Sequence, residues 1–260
     1  MLRVAIFGAG GRMGRVLCDL TDNGDDLQLV GALVRPGSKM VGEPAGRDVV
    51  YTDQPVAALD NAEVAIDFSL PEAFNSNLSS CIDAGVPVVI GTTGLSSVQH
   101  QRLRDAGHQH PVLWAPNMSV GVNLLFRLTQ IAAGVLDEDY DAEIVDIHHR
   151  YKRDAPSGTA LRFGEVIAGA RDRKLEDIAD FRGRNDDRQR HRGDIGFSAV
   201  RAGDIAGEHS VIFATAGESV ELRHRAASRE AFADGALRAA GWLAGRPAGL
   251  YGMADVLDLK

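Results

Sequence analysis

The first fourteen residues constrain the fold most. A short apolar run, Leu2-Arg3-Val4-Ala5-Ile6-Phe7, breaks into Gly8-Ala9-Gly10-Gly11-Arg12-Met13-Gly14. A helical spacing of apolar residues then begins, with Met13, Val16, Leu17 and Leu20 on one side. Strand, glycine-rich turn and helix in that order form the opening unit of a parallel sheet, and the helix start offers backbone N–H groups to an anion. We read the turn as a G-x-G-x-x-G fingerprint for a dinucleotide. Gly8 permits the tight turn, Gly10 lets a pyrophosphate approach the backbone, and Gly14 allows close helix–strand packing. Gly8, Ala9, Gly10, Gly11, Arg12 and Met13 are therefore the first expected cofactor contacts. Alone, such a turn is weak evidence, because glycines also make ordinary turns.

The alternation of elements up to residue 115 strengthens it. Residues 27–34 read as a second strand, 64–68 as a buried strand, 71–84 as a helix, 86–90 as a strand, 95–106 as a helix and 112–115 as a strand. Strands alternating with helices imply a Rossmann-type, doubly wound parallel sheet of the α/β class. Ligands of such sheets sit outside the carboxyl ends of the strands. Those ends here include Val34 and Arg35, then Gly91, Thr92 and Thr93, then Ala115, Pro116, Asn117 and Met118. The second strand of a dinucleotide fold often ends in an acid that binds the ribose. Here it ends in Val34-Arg35, and a guanidinium suits a 2′-phosphate. The expectation is NADPH in preference to NADH.

The pattern changes after Met118. Residues from 119 open a long helix with Val122, Leu125, Leu128, Ile131, Ala132 and Val135 on one stripe. Residues 142–147 are strand-like, and 195–202, 210–216 and 219–226 form further strands of a mixed or antiparallel sheet in a smaller α+β domain. Residues 229–244 read as a helix returning to the first domain. The expected division is 1–118 with 229–260 for dinucleotide binding, and 119–228 for substrate binding and oligomerisation. Residues 182–194, with five Arg and three Asp, read as a mobile solvated loop.

Between the strand at 142–147 and a helix at 159–167 lies His148-His149-Arg150-Tyr151-Lys152-Arg153-Asp154-Ala155-Pro156-Ser157-Gly158-Thr159. Five groups able to carry positive charge fall within six residues, next to a helix start. That combination can bind an anion and donate a proton. Composition limits the alternatives. A formal net charge of −8 argues against a nucleic-acid partner. No apolar run is long enough for a membrane span, and the start is too short and wrongly flanked for a signal peptide. Cys18 and Cys81 are far apart in apolar patterns, so buried free thiols in a cytoplasmic protein are expected, with no metal site.

The glycine turn together with Glu143-Ile144-Val145-Asp146-Ile147-His148-His149 through Thr159-Ala160 resembles the dihydrodipicolinate reductase family. Gly91-Thr92-Thr93-Gly94, Ser119-Val120-Gly121-Val122-Asn123, Val200-Arg201-Ala202-Gly203-Asp204-Ile205 with Gly207-Glu208-His209, and the ending Asp255-Val256-Leu257-Asp258-Leu259 are also similar to it. The resemblance spans essentially the whole chain. It implies reduction of the dicarboxylate 4-hydroxy-tetrahydrodipicolinate to tetrahydrodipicolinate, with loss of water, in lysine and diaminopimelate biosynthesis, using NAD(P)H. It implies proton transfer at His148 and Lys152, and substrate carboxylates at His149, Gly158 and Thr159. It also implies a homotetramer built on the second-domain sheet. Many members carry Glu where Val34 stands, and a Glu where Asp146 stands. Two rivals share parts of the pattern: another amino-acid-pathway dehydrogenase, of aspartate or homoserine type, and a protein that binds NADP(H) without turnover. Neither requires both proton donors beside the Ser157-Gly158-Thr159 turn.

Overall fold

The computed structural model describes residues 1–182 and 187–259. Its elements in chain order are β1 (Leu2–Phe7), α1 (Arg12–Asn23), β2 (Leu27–Leu33), β3 (Tyr51–Thr52), α2 (Pro55–Leu59), β4 (Val64–Asp67), α3 (Phe74–Asp83), β5 (Val88–Ile90), α4 (Ser97–Gly107) and β6 (Pro111–Trp114). Then come α5 (Val120–Val135), β7 (Asp141–His148), α6 (Gly158–Ala170), α7 (Leu175–Ile178), β8 (Ala179–Asp180), β9 (Ile195–Arg201), β10 (Gly207–Ala214) and β11 (Ser219–Ala226). The chain ends with α8 (Glu230–Leu243), β12 (Gly249–Tyr251) and α9 (Met253–Val256). The contacts divide it into two compact units, Met1–Val120 with Arg229–Lys260, and Gly121–Ser228.

The first unit holds a seven-stranded sheet in the order β12-β6-β5-β4-β1-β2-β3, with every neighbouring pair parallel. The order reverses direction at β1, between β2 and β4, which is where a doubly wound sheet opens a ligand crevice. The central strands are buried on both faces, as parallel strands covered by helices must be: Val4, Ala5, Ile6 and Phe7 are all 0% exposed. One face packs against α1, α8 and α9 through Leu17, Ala236, Ala240 and Met253. The other packs against α2, α3 and α4 through Ala58, Phe74, Leu78 and Leu103.

Counted residue by residue, the N-terminal turn is Gly8-x-Gly10-Gly11-x-x-Gly14, one residue longer between the second and third glycines than G-x-G-x-x-G. The structure shows what each glycine does in that longer turn. Gly8 has φ +72°, and a Cβ there would lie 2.8 Å from the carbonyl carbon of Phe68. Gly11 is the N-cap of α1 and brings no side-chain cap, which leaves the first-turn N–H groups without a side-chain acceptor. Gly14 is the close-approach position, where a Cβ would lie 2.2 Å from the Gly8 oxygen.

The second unit holds a mixed five-stranded sheet in the order β11-β10-β7-β9-β8. β10 runs antiparallel to β7 and β11, while β9 runs parallel to β7 and β8. Phe163 and Ile167 of α6 fill the space over Ile144, Val211 and Phe213. One expectation is corrected by this unit. On α5 the buried stripe is Val122, Leu125, Thr129 and Ala133, whereas Leu128, Ile131 and Val135 are exposed. Nearly every residue of that helix is apolar or small, so the sequence alone did not single out one face. The arginine-rich stretch is a largely exposed loop in its described part, as expected, and ion pairs anchor it to the sheet. Arg190 reaches Asp141, Glu143 and the carbonyls of Ala142 and Asp194, with its side chain only 14% exposed. Arg182 and Arg188 both pair with the buried Asp180. Residues 183–186 of that stretch lie outside the described residues.

Candidate active site

In the second unit a single carboxylate gathers the site. β7 places Asp146 and His148 two residues apart, on the same face of the strand. The antiparallel register sets His209 of β10 directly opposite Asp146, and the parallel register sets Arg201 of β9 beside His148. His148 Nδ1 lies 2.8 Å from Asp146 Oδ1, a close contact outside hydrogen-bond geometry. His209 Nε2 lies 3.4 Å from the same oxygen. The other oxygen, Oδ2, accepts from an Arg201 guanidinium N–H at 2.8 Å and from the Ser157 backbone N–H at 2.8 Å. Ser157 caps α6 by accepting from the Ala160 N–H, and its Oγ lies 3.2 Å from His209 Nε2.

Electrostatics follows from this geometry. Burial pushes the Asp146 carboxyl up, but the contacts from His148, His209, Arg201 and Ser157 outweigh burial and hold it far below the usual carboxylate range. Burial holds the His209 imidazole below its ordinary value, His148 and Lys152 act in the same sense, and Asp146 opposes them. Asp146, His148 and His209 have the chemistry of a metal-binding set. A guanidinium already faces Asp146, however, so positive charge is supplied without an ion.

The remaining candidates surround this cluster in sequence. Lys152 Nζ donates to Asp154 Oδ2 at 2.8 Å. Arg201 also binds the Asp154 carbonyl at 2.6 Å, tying the loop that carries Lys152 to β9. The Ala155–Pro156 peptide is cis. Gly158 is exposed at the first position of α6 and Thr159 comes next. His149 is half-buried, with its ring 6.3 Å from that of Tyr151. Gly207 makes room for the proton-transfer candidate: a Cβ there would stand 3.1 Å from His148 Nε2. The structure thus brings His148, Lys152, Gly158 and Thr159 into one neighbourhood of β7 and α6. It adds Asp146, Arg201 and His209, which were not among the expected site residues, and joins Ser157 of the expected helix-start turn to them.

In the first unit, the expected cofactor residues all fall at carboxyl ends of parallel strands. Gly8, Ala9, Gly10, Gly11, Arg12 and Met13 come after β1, Val34 and Arg35 after β2, Gly91, Thr92 and Thr93 after β5, and Ala115, Pro116, Asn117 and Met118 after β6. Their side chains divide into two groups. Ala9, Val34, Thr92, Ala115 and Met118 are buried. Val34 packs toward Gly10, with its Cγ1 3.3 Å from where a Gly10 Cβ would stand. Arg12, Arg35 and Thr93 are exposed. The loops are tied together. Thr92 Oγ1 donates to the Ser69 carbonyl, the Trp114 indole donates to the Thr92 carbonyl, and the Phe68 ring lies against Gly91. Arg15 adds an unforeseen cation, its Nε 3.2 Å from the Gly10 carbonyl.

A parallel sheet whose order reverses beside an uncapped glycine turn, in a chain with a separate unit bearing a His–Asp–His cluster, defines an oxidoreductase of the pyridine-nucleotide class. The comparisons narrow this. Residues 2–118 match the family described as "Dihydrodipicolinate reductase, N-terminus", and residues 121–257 match "Dihydrodipicolinate reductase, C-terminus". The chain belongs to the dihydrodipicolinate reductase family. It is 51% identical over 265 residues to the 4-hydroxy-tetrahydrodipicolinate reductase of Thiobacillus denitrificans, covering 100% of this chain and 99% of that one. It is 49% identical over 268 residues to the reductase of the same name from Pseudomonas fluorescens, covering 100% of both. Among solved structures, the dipicolinate-bound dihydrodipicolinate reductase from Paenisporosarcina sp. TG-14 superposes with a TM-score of 0.79 at 25% identity, covering 99% of this chain and 100% of that one. The aspartate dehydrogenase of Thermotoga maritima shares the fold alone, at 15% identity and a TM-score of 0.51.

Proposed function

We propose that this chain reduces 4-hydroxy-tetrahydrodipicolinate to tetrahydrodipicolinate, with loss of water, in lysine and diaminopimelate biosynthesis. The observation that carries the proposal is the His148–Asp146–His209 cluster at the start of α6, in a chain about half identical, end to end, to reductases named for that substrate. The cytoplasm is the proposed location and a homotetramer the proposed assembly.

The residues of the first unit fit a dinucleotide. The turn at Gly8 and Gly14 has no room for a Cβ, and the uncapped start of α1 is suited to a pyrophosphate. Gly8, Gly10, Gly11, Arg12 and Met13 would hold the phosphates. Gly91, Thr92, Thr93, Ala115, Pro116, Asn117 and Met118 would line the nicotinamide end. Arg35, exposed just past β2, would pair with a 2′-phosphate, and the buried Val34 offers no acceptor for a ribose hydroxyl; both favour NADPH over NADH. The bound coenzyme supplies the hydride.

The second unit supplies binding and protons. Two carboxylates on a small ring need fixed donors. His149, Gly158 and Thr159 would provide them at the α6 start, where first-turn amides and the helix dipole favour an anion. Reduction of an unsaturated carbon conjugated to C=N builds negative charge on neighbouring atoms. A cationic acid stabilises that charge and then delivers a proton. His148 is the proposed acid, with Asp146 fixing one ring nitrogen and the other left for the substrate. Lys152 would exchange its Asp154 partner for the substrate and act as a second proton donor.

The test is an assay coupled to the upstream aldol-condensation product, monitoring oxidation of each coenzyme in turn. The wild-type protein consumes NADPH. His148→Ala and Lys152→Ala each lower kcat by about 100- to 10,000-fold and leave NADPH affinity unchanged. A wild-type protein that oxidises neither coenzyme overturns the function, and a fully active double variant overturns the roles of the two residues.

A further inference from the structure

The core-facing row of β7 runs Ala142, Ile144, Asp146, His148, and the first three are 0% exposed. Alternation on a half-buried strand gives the third position to an aliphatic side chain. It is filled instead by a carboxylate, which is costly to bury unless every lone pair is met. The groups around it all come from segments of the candidate site, hydrogen-bonded at Oδ2 and in close contact at Oδ1. Oδ1 faces His148 and His209, while Oδ2 takes the Ser157 amide and the Arg201 guanidinium. Arg201 in turn holds the Asp154 carbonyl in the loop of Lys152.

We propose that Asp146 is the positioning residue of the reaction: its one carboxylate fixes the His148 ring through Oδ1 and the start of α6 through Oδ2, so that proton donor and carboxylate-binding turn keep a common register. This rests on the function proposed above. Asp146 touches no reacting atom. It acts through His148, whose ring it directs so that the N–H of a neutral imidazole lies on Nδ1, and through Ser157, whose amide leads directly into Gly158 and Thr159. The arrangement explains why a charge occupies a core position of β7. An aliphatic residue there would match the pattern of the row, yet would leave the imidazole free to turn and the helix start unanchored.

The test compares Asp146→Asn with Asp146→Glu. Asn keeps the shape but removes the charge and turns a donor toward a donor. In the Asn variant kcat falls by about 10- to 100-fold, the loss typical when an outer-sphere partner of a working histidine is removed. KM for the dicarboxylate rises and KM for NADPH does not. Ring nitrogen shifts of labelled histidine show His148 losing its preference for an Nδ1 proton. Glu restores the charge and recovers part of kcat together with the ring signature. A folded Asn variant with wild-type kcat, or one whose His148 ring keeps the wild-type signature, overturns the assignment. Should the Asn variant not fold, the Glu variant decides. Turnover within about tenfold of wild type with the ring signature kept supports the role, and turnover lost with the ring unchanged refutes it. A wild-type protein inactive on the dicarboxylate sinks the functional reading instead, and the ring signature still answers the positioning question.

Discussion

Gly14 and Gly241 sit inside helices α1 and α8 of the same unit, and replacing each with Ala separates two opposing effects. In a helix interior, Ala is favoured over Gly by about 1 kcal/mol. At Gly241 nothing stands within 4 Å of the added Cβ, so that gain is realised in full. At Gly14 the added Cβ would lie 2.2 Å from the Gly8 oxygen and 2.6 Å from the Ala9 Cα, where ordinary contact begins at 3.4 Å. Both obstacles are backbone in a turn already fixed by a positive φ at Gly8, so the helix must move by roughly 1.2 Å. Overpacking of that kind costs about 1–3 kcal/mol, and contact with backbone places it toward the upper end. The balance is a net loss of about 1–2 kcal/mol for Gly14→Ala against a gain of up to about 1 kcal/mol for Gly241→Ala. The displaced amides are those proposed to hold the pyrophosphate, and misplacement near 1 Å costs on the order of 100-fold. Urea unfolding and fluorescence titration with NADPH read the two effects. If both variants shift the urea midpoint in the same direction, and Gly14→Ala titrates like wild type, the close-approach account of this turn is wrong.

Other outcomes rest on the same geometry. Arg35→Ala raises KM for NADPH by about 10- to 100-fold, the range of a charge-assisted hydrogen bond, and leaves KM for NADH in place; equal loss with both coenzymes would remove Arg35 from the 2′-phosphate site. Stability should fall on the acid side of neutrality. Burial, helped by His148 and Lys152, lowers the pKa of His209, and burial and His209 lower that of His224. In the unfolded chain both titrate near about 6.5. Below that value the unfolded chain binds more protons than the folded one, so unfolding free energy drops by up to about 1.4 kcal/mol per pH unit for each histidine. Asp146 acts in the same direction in a lower pH window: its depressed pKa contributes stability that is complete above about pH 4 and is lost only below it. A urea midpoint that stays flat from about pH 8 down to about pH 5 would contradict the histidine assignment.

Much of the first unit was legible because most of its longer strands are short apolar runs closed by glycine or proline, and its longer helices carry their own period. What escaped were pieces too short to show a period, β3, β8 and β12, which exist because a neighbouring edge offers a partner. The α5 error had a different source. Apolar side chains at 124, 128, 131 and 135 recur with helical spacing as regularly as those at 122 and 125. Packing, not composition, chose the side with Thr129 and Ala133. The anchoring of the arginine-rich loop was not legible because several of its counter-charges, Asp139, Asp141 and Glu143, lie about 40 to 50 residues earlier in the chain.

The site divides along the same line. His148, His149, Lys152, Ser157, Gly158 and Thr159 fall within one stretch of twelve residues, so residue types and a helix-start pattern group them in the sequence. Arg201 and Asp146 are 55 positions apart, and Ser157 and His209 are 52 apart. Their meeting depends on β7 lying between an antiparallel β10 and a parallel β9 in one fixed register. A slip of one residue on β10 would turn His209 to the opposite face and leave Asp146 one donor short. One local signal did exist. In the alternation Ala142, Ile144, Asp146, a carboxylate stands where the strand's own pattern calls for an aliphatic residue. A charge in a core-facing row must be answered by donors from elsewhere. The stretch beginning two residues later supplies His148 and the Ser157 amide, and the neighbouring strands supply Arg201 and His209.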